Sequence, residues 1–205
     1  MNSYSNIMIK SEDIYQMMKK MAKVGWKALR ESSINRIIYL SAVLYSFRYP
    51  QMENIFKQNY MFTVRVSGPE DAEIEKALTN LISNEVLEHT ENGYRLCPNA
   101  NFRLMYSEIK KKEQWFDDMS YIVGMYGEDK IFDFIFRDPE YRTSLKSNST
   151  YNLNLDSDNA TVRFLFSFKK AFEEKMDKKE EPLTNRKYLE LYFEYIFGKI
   201  LRGEK

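Results

Sequence analysis

The sequence predicts a mainly α-helical fold: a winged helix, meaning helices plus a small β-hairpin, followed by a helical C-terminal region. Three observations predict this fold. A helical pattern that is apolar almost all round follows Ser33, an amphipathic helical pattern leads into the short apolar run Val86–His89, and Asn92–Gly93 offers a two-residue hairpin turn. Hydrophobic residues make up 43% of the 205 residues, enough to build a buried core.

The first predicted helix begins at Ser11, which suits an N-cap, with Glu12 and Asp13 in the first turn. Its apolar face packs on the rest of the domain or, alternatively, docks a partner through adaptable methionines. We favour packing, because methionines at helical spacing usually belong to a core. The apolar positions are Ile14, Met17, Met18, Met21 and, as a further candidate, Leu29; Lys19, Lys20, Lys23 and Lys27 occupy the other side.

The second predicted helix runs from Ser33 through Phe47 and should be the buried centre of its domain, because it has no broad polar face. Pro50 ends it, since proline disfavours helical geometry in the preceding residue. Residues 52–60, "MENIFKQNY", predict one or two helical turns. Residues 61–66, "MFTVRV", predict a short strand, because they are rich in β-branched side chains.

The third predicted helix follows Gly68–Pro69. Proline suits a first helical turn, and Glu70 and Asp71 suit its positive end. A hairpin then follows, with Val86–His89 as the first strand and Tyr94–Leu96 as the return strand. The apolar face of the helix consists of Ile74, Ala77, Leu78, Leu81 and Ile82.

The second half divides by composition. We assign residues 1–97 to the N-terminal helix and winged-helix domain, 98–137 to a helical connector, 138–160 to a polar loop or linker, and 161–205 to a C-terminal helical pair. Whether residues 98–205 form a separate domain is left open. The last helix, capped by Thr184, has an apolar surface wider than one core contact requires. It is therefore either sandwiched inside the domain or covered by another chain.

Several features of residues 33–97 resemble a known family. They are the apolar helix "INRIIYLSAVLYSF", Gly68–Pro69 before the next helix, the core pattern "AL..L" that starts at Ala77, and the hairpin "VLE…NGY". Together they resemble the middle components of bacterial three-component ABC systems, among them the small subunits of Lamassu-type anti-phage defence. The resemblance implies a kleisin-like, non-catalytic scaffold. Its partners would be an SMC-like coiled-coil ATPase subunit and an effector subunit, often a nuclease.

No nucleotide-binding or metal-binding motif appears in the sequence. Glycine-rich phosphate loops are missing, and the single histidine, His89, and single cysteine, Cys97, cannot form a usual zinc site. These two residues could meet across the hairpin as a nucleophilic pair, but nothing nearby would orient them. Glu173–Lys175 with Asp158 matches a fragment of metal-dependent nucleases, yet its helical context favours a solvated face. We therefore expect no enzyme activity, cofactor or metal.

The net charge, the single cysteine and the lengths of the apolar runs restrict where the protein is expected to be located and what it is expected to bind. Thirty-one basic and thirty acidic residues give a net charge of +1, so no overall field attracts the chain to nucleic acid or membrane. One cysteine excludes an internal disulfide. The start lacks the features of a signal peptide, and the apolar run Ile37–Phe47 is too short to span a bilayer. The sequence predicts a cytoplasmic protein without a membrane or small-molecule partner.

The predicted helix and hairpin could serve DNA or protein. Acids at the helix start (Glu70, Asp71, Glu73) and in the hairpin (Glu88, Glu91) oppose phosphate binding. We therefore favour an adaptor over the alternative, a homodimeric winged-helix transcriptional regulator. Basic residues between positions 14 and 57 leave DNA contact by the N-terminal helices open. The residues expected to contact a partner are Lys76, Thr79, Asn80, Ser83, Glu88, Glu91 and Tyr94, together with Tyr188, Tyr192, Phe193, Tyr195 and Phe197 of the last helix.

Overall fold

The computed structural model describes residues 3–103, 109–146, 152–176 and 183–202. In these parts the chain is mainly helical and carries two small antiparallel hairpins, which confirms the predicted mainly α fold class with a small β-hairpin. None of the described helices is long and apolar enough to cross a membrane. The elements are α1 (Ser3–Lys23), α2 (Glu31–Arg48), β1 (Thr63–Arg65), β2 (Gly68–Glu70), α3 (Glu73–Ser83), β3 (Leu87–Thr90), β4 (Gly93–Leu96), α4 (Ile109–Gly124), α5 (Glu128–Ile135), α6 (Pro139–Lys146), α7 (Ala160–Glu173) and α8 (Asn185–Leu201).

Helix α2 lies at the centre of the molecule. Every residue from Ser33 to Phe47 is buried, and α2 packs against β2 and against α4, α5, α7 and α8. This confirms the prediction from its apolar pattern. The helix begins at Glu31, two residues before the expected start, and it ends before Pro50 as expected.

Helix α1 begins eight residues earlier than predicted. Ser11 is not its N-cap: it lies inside the helix, where its hydroxyl donates to the carbonyl of Ile7 at 2.9 Å. The methionine face packs within the chain, as we favoured. Lys20, expected to be solvated, is instead buried between Glu113 and Asp117 of α4, at 3.2 Å from each.

The segment between α2 and α3 forms a hairpin where a helix start was expected. Gly68 adopts a φ of +126°, which turns the chain back, and Pro69 then pairs with Val64 in the β1–β2 ladder. Pro69 therefore does not lie in a first helical turn, and α3 starts only at Glu73. Residues 52–60 form turns but no helix, while β1 confirms a strand within residues 61–66.

The second hairpin matches the predicted one with its turn shifted by one residue. Thr90 pairs with Gly93, so Glu91 and Asn92 form the turn in place of Asn92–Gly93. Leu29, a candidate for the α1 pattern, lies beyond that helix and pairs with Tyr94 of β4. Their backbone N–H groups donate to each other's carbonyls at 2.9 and 2.8 Å. Leu29 thus extends the β3–β4 hairpin by a third short extended segment.

The described second half shares one hydrophobic core with the first. This core contains buried residues from Ile14 to Phe197, and α4, α5, α7 and α8 all contribute to it. The predicted linker at 138–160 is wrong in part, because it contains α6, whose Tyr141 is fully buried, and because Leu153 also packs into the core. Buried side chains such as Tyr141 and Leu153 attach this polar segment to the core. Residues 147–151 lie outside the described parts.

Asp138 joins three elements at the centre of that half. Its buried carboxylate accepts hydrogen bonds from the Tyr39 hydroxyl of α2 (2.8 Å), the Tyr141 N–H of α6 (2.9 Å) and the Thr161 hydroxyl of α7 (2.6 Å). Burial raises the pKa of Asp138, and the three hydrogen bonds oppose this effect only in part. The carboxyl group is thus easier to protonate in the folded chain than in the unfolded chain.

A pH dependence follows for Asp138→Asn. A raised folded-state pKa gives stability that is present below the unfolded pKa and is lost as pH rises through the folded value. We therefore expect the stability advantage of the wild type over Asp138→Asn to shrink as pH rises from acid to neutral. Urea unfolding of both proteins across this pH range measures it. An advantage that grows with pH would contradict the direction of the shift.

Candidate partner-binding surface

Helix α3 is held in place through one apolar face. Ile74, Ala77, Leu78 and Leu81 are buried, and the helix packs mainly against α1. Ile82, predicted on the same face, is 39% exposed. The helix therefore keeps an outer side that is open to solvent.

The acids at the start of α3 face inward, contrary to the prediction. Asp71 is 3% exposed, and its two carboxylate oxygens accept from the Lys10 ammonium of α1 at 2.6 and 2.7 Å. Asp71 also accepts from the backbone N–H groups of Met61 (2.8 Å) and Glu73 (2.9 Å). It therefore stabilises the start of α3 and fixes the chain before β1, and it does not face a partner.

Glu73 and Glu70 are also engaged within the chain. Glu73 lies 3.0 Å from the Lys10 ammonium. Burial opposes its ionisation, but the hydrogen bond and charge of Lys10 outweigh burial and lower the pKa of Glu73. Glu70 pairs with Arg65 at 3.0 Å on the β1–β2 hairpin. The helix start is consequently less anionic towards solvent than its sequence suggests.

The structure separates the predicted contact residues of α3 into two groups. Lys76, Thr79 and Ser83 are exposed on the outer side of the helix, as predicted. Asn80 faces α1 instead, where its amide donates to the Ser11 hydroxyl at 3.0 Å. Asn80 therefore belongs to the α1–α3 contact and not to the outer side of the helix.

The β3–β4 hairpin continues the outer side of α3. Glu88 pairs with Arg95 at 2.8 Å, and Glu91 is exposed in the turn. Tyr94 is half-buried: its ring contacts that of His89, with centroids 4.8 Å apart, and its hydroxyl donates to Glu31 at 3.5 Å. The hairpin thus presents one neutralised ion pair and one exposed acid in its turn.

We define the α3–hairpin surface by the solvent-facing charges and polar groups of these elements. Burial raises the pKa of nearby Glu31, and the negative charge of Glu75 raises it further. Acids outnumber bases on the surface. Its members are Glu75, Lys76, Thr79, Ser83, Glu85, Glu88, Glu91, Tyr94 and Arg95.

Most basic residues of the N-terminal helices are engaged inside the chain. Besides Lys20, Arg36 is buried and donates to the Ser67 carbonyl at 2.7 Å. Three further cations pair with acids: Arg30 with Glu128, Arg48 with Asp118 and Lys57 with Asp156. Within the described chain, the exposed cations left without an ion pair in this group are Lys19, Lys23 and Lys27.

The aromatic residues predicted to bind a partner through the last helix are mostly core residues. Helix α8 packs against α2, α4, α5 and α7, so the chain itself covers most of its wide apolar surface. Of the two alternatives for the last helix, packing inside the domain or cover by another chain, the structure shows packing inside the domain. Of the predicted set, Tyr195 is 44% exposed, whereas Tyr188, Tyr192, Phe193 and Phe197 are buried and are not available to a partner.

The structure does not assemble the two catalytic groups considered. His89 lies opposite Tyr94 in the ladder, while the Cys97 N–H donates to Val86, beyond the other end of β3. Asp158 precedes α7 and Glu173 ends it, so a helix of about 20 Å separates them. Across the described ranges, no group of three or more His, Cys, Asp or Glu side chains is placed to hold a metal.

A groove of about 720 Å³ lies beside the buried Lys10–Asp71 pair, between the β1 strand and residues 152–156. Its charged groups neutralise one another: Lys57 pairs with Asp156 at 2.6 Å, and Arg65 pairs with Glu70. No excess charge in the groove selects a ligand. Hydrophobic periodicity in the sequence does not predict the Lys10–Asp71 ion pair, because the two residues are 61 positions apart.

No protein-family model, curated protein or solved structure matches this chain. The resemblance of residues 33–97 to middle components of three-component ABC systems therefore stays a prediction from the residues themselves.

Proposed function

We propose that the protein is a non-catalytic adaptor that binds a protein partner through the α3–hairpin surface. The observation that supports this proposal most strongly is the charge of the α3–hairpin surface. Its exposed acids Glu75, Glu85 and Glu91 are opposed by Lys76, because Arg95 is neutralised by Glu88. Affinity for nucleic acid comes mainly from cations that neutralise phosphates, so this surface is a poor match for DNA.

The order of elements supports the winged-helix interpretation within this proposal. Helix α1, the extended Leu29, helix α2, the β1–β2 hairpin, helix α3 and the β3–β4 hairpin follow one another, and Leu29 pairs with β4. In DNA-binding proteins with a helix-turn-helix the second helix enters the major groove, and its cations hold the backbone. Here the corresponding helix presents Glu75 beside Lys76, which favours use of the same shape for a protein partner.

The family resemblance supplies the partners in this proposal: an SMC-like coiled-coil ATPase subunit and an effector subunit, in the cytoplasm. DNA contact would then depend on the ATPase or on Lys19, Lys23 and Lys27. The alternative, a homodimeric regulator that pairs through its last helix, is disfavoured because α8 is already covered within the chain.

Co-purification tests the adaptor proposal. The tagged protein is co-expressed with the products of its neighbouring reading frames, and we expect it to retain a coiled-coil ATPase subunit. Glu85→Lys combined with Glu91→Lys should reduce retention by about tenfold, because it reverses the charge of the surface and costs on the order of 1.4 kcal/mol of binding.

The matched control reverses two exposed acids elsewhere, through Glu53→Lys combined with Asp129→Lys. It should leave retention unchanged. Equal losses in both double variants would show that only overall charge matters, and no retained subunit from any neighbouring frame would reject the adaptor proposal.

A further inference from the structure

A second surface, separate from the α3–hairpin surface, exposes aromatic rings. We call it the aromatic patch and define it by Phe164 and Phe168 of α7 and Tyr195 of α8. Phe164 is 43% and Tyr195 44% exposed, and the rings of Phe168 and Tyr195 lie 6.0 Å apart. The buried Tyr192 contacts both phenylalanines, with ring centroids 5.9 and 5.7 Å away, so the rings of the patch belong to one aromatic cluster.

Phe168 packs in part against the hydrophobic core, whereas Phe164 and Tyr195 are more exposed. Helix α7 attaches to the core through Thr161, Val162 and Leu165, which are its buried residues. Phe164 and Tyr195 lie outside that contact and leave much of their surface in water. Large exposed aromatics on a helix pair are typical of interaction surfaces, where aromatic side chains supply much of the binding energy.

Both helices of the aromatic patch carry cations. Arg163 and Lys170 are exposed on α7, and Lys175 adds a further exposed cation just beyond the end of that helix. The Lys199 ammonium of α8 lies 4.5 Å from the centre of the Tyr195 ring. One cation of α8 therefore lies beside a ring of the patch, and α7 adds exposed cations on the same helix as the two phenylalanines.

The neighbouring acids do not cancel this charge. Glu173 accepts from the Tyr188 hydroxyl at 3.2 Å and lies 3.9 Å from Lys169, so its charge is already shared within the chain. Glu194 lines a small cavity with Tyr126 and faces α4, away from α7. Glu174 is the remaining exposed acid of the α7 end in the described chain. From Ala160 to Met176, the described stretch that holds α7, exposed cations thus outnumber exposed acids.

We propose that the aromatic patch docks an amphipathic helix of a partner protein, with the apolar face of that helix on the rings and its acidic residues towards Arg163, Lys170 and Lys199. Helices commonly bind in this way, with an apolar stripe on a hydrophobic surface and charges at the rim. Charge complementarity selects an acidic partner. The proposal does not depend on the α3–hairpin surface, although an adaptor that joins two proteins needs two such surfaces.

Single-stranded nucleic acid also binds to aromatics beside cations. The observations favour a helix, because Phe164 and Phe168 both contact Tyr192 and are thus not separate ring faces for successive bases. An oligothymidylate is therefore the competing ligand in the experiment.

The probe is a fluorescent amphipathic peptide of about five helical turns, with leucines on one face and glutamates on the other. Fluorescence anisotropy with the full chain should give a dissociation constant in the micromolar range that weakens with salt. Phe164→Ala combined with Tyr195→Ala should weaken binding by about tenfold or more. A matched double variant, Met125→Ala with Phe132→Ala, removes exposed apolar side chains elsewhere and should bind as the wild type.

Three results would overturn the proposal. The first is equal binding of a peptide in which lysine replaces every glutamate, and the second is equal binding by the patch variant and its control. The third is preferential binding of an oligothymidylate, which would assign the patch to nucleic acid. Circular dichroism confirms that each variant is folded, and the Glu85→Lys/Glu91→Lys variant should keep peptide binding, so this proposal and the adaptor proposal can fail separately.

Discussion

Replacing Asp71 with alanine is expected to lower the free energy of unfolding by about 3–5 kcal/mol, the usual cost of leaving a buried charge without its partner. The Lys10 and Asp71 side chains are each 2% exposed, and their closest atoms are 2.6 Å apart. After the change, Lys10 keeps the more distant Glu73 as an ion-pair partner, and two backbone N–H groups lose their acceptor. Urea unfolding followed by circular dichroism measures the loss.

The exposed pair Glu88–Arg95 provides the matched control. Its side chains are 39% and 52% exposed, so Glu88→Ala should cost less than about 1 kcal/mol. Replacing Lys10 and Asp71 together by Met and Leu should cost less than Asp71→Ala alone, because no charge of the pair then stays buried without a partner. A cost for Asp71→Ala as small as that of Glu88→Ala would contradict the structural role assigned to the pair.

Gly93→Ala is expected to separate the β3–β4 hairpin from Leu29 and to cost about 3 kcal/mol or more, from backbone strain together with lost hydrogen bonds. Gly93 has a φ of +111°, a conformation that side chains with a Cβ rarely adopt. An added Cβ would lie 2.6 Å from the carbonyl carbon of Leu29 and 2.8 Å from the backbone nitrogen of Arg30. The two hydrogen bonds between Leu29 and Tyr94 would then break.

Gly25→Ala is the control that separates the cost of backbone strain from the cost of a steric clash with Leu29. Gly25 has a similar φ of +96°, but a Cβ added there would meet no atom within 4 Å. The substitution should cost about 1 kcal/mol, the strain alone. Amide hydrogen exchange at Leu29 and Tyr94 should accelerate in Gly93→Ala and stay slow in Gly25→Ala. Equal stability of the two variants would show that the close approach of the hairpin to Leu29 is not needed.

The sequence predicted an element correctly where its local hydrophobic pattern agrees with its tertiary environment. Helix α2 is apolar all round, which only a buried helix tolerates, and its position at the centre follows. The amphipathic pattern of α3 and the hairpin after it were predicted for the same reason, since one face of each element packs and the other faces water. The turn was displaced by one residue because Gly93, with its positive φ, pairs with Thr90 beside Leu29.

The sequence did not predict the start of α1, because the residues that extend it combine a short apolar run, Ile7–Ile9, with the buried charge of Lys10. Lys10 pairs with Asp71, and Asp13 with Lys112 of α4 at 2.7 Å, so partners distant in sequence offset the cost of their burial. Hydrophobic periodicity carries no trace of such pairs. The same pairing explains the inward orientation of Asp71, which the sequence alone assigned to the surface.

The aromatic residues of α8 show a second limit of prediction from sequence. The width of the apolar surface of α8 indicated that something covers it, but composition cannot tell a neighbouring helix from a second chain. The structure supplies the cover through α5 and α7, where Phe134 of α5 stacks on Phe193 with centroids 4.5 Å apart. Tyr195 stays exposed at the edge of that packing, and it is the member of the predicted set that contributes to the aromatic patch.

The most direct test of the central claim is a titration of the purified chain with labelled duplex DNA at about 50 and 200 mM salt, a range over which phosphate-driven binding falls steeply. We expect weak binding at the lower salt that disappears at the higher, and no change on replacing Lys76 or Thr79 of α3. Tight binding that survives the higher salt and is lost with Lys76→Ala would place α3 in the groove of DNA and contradict a protein-binding role for the α3–hairpin surface.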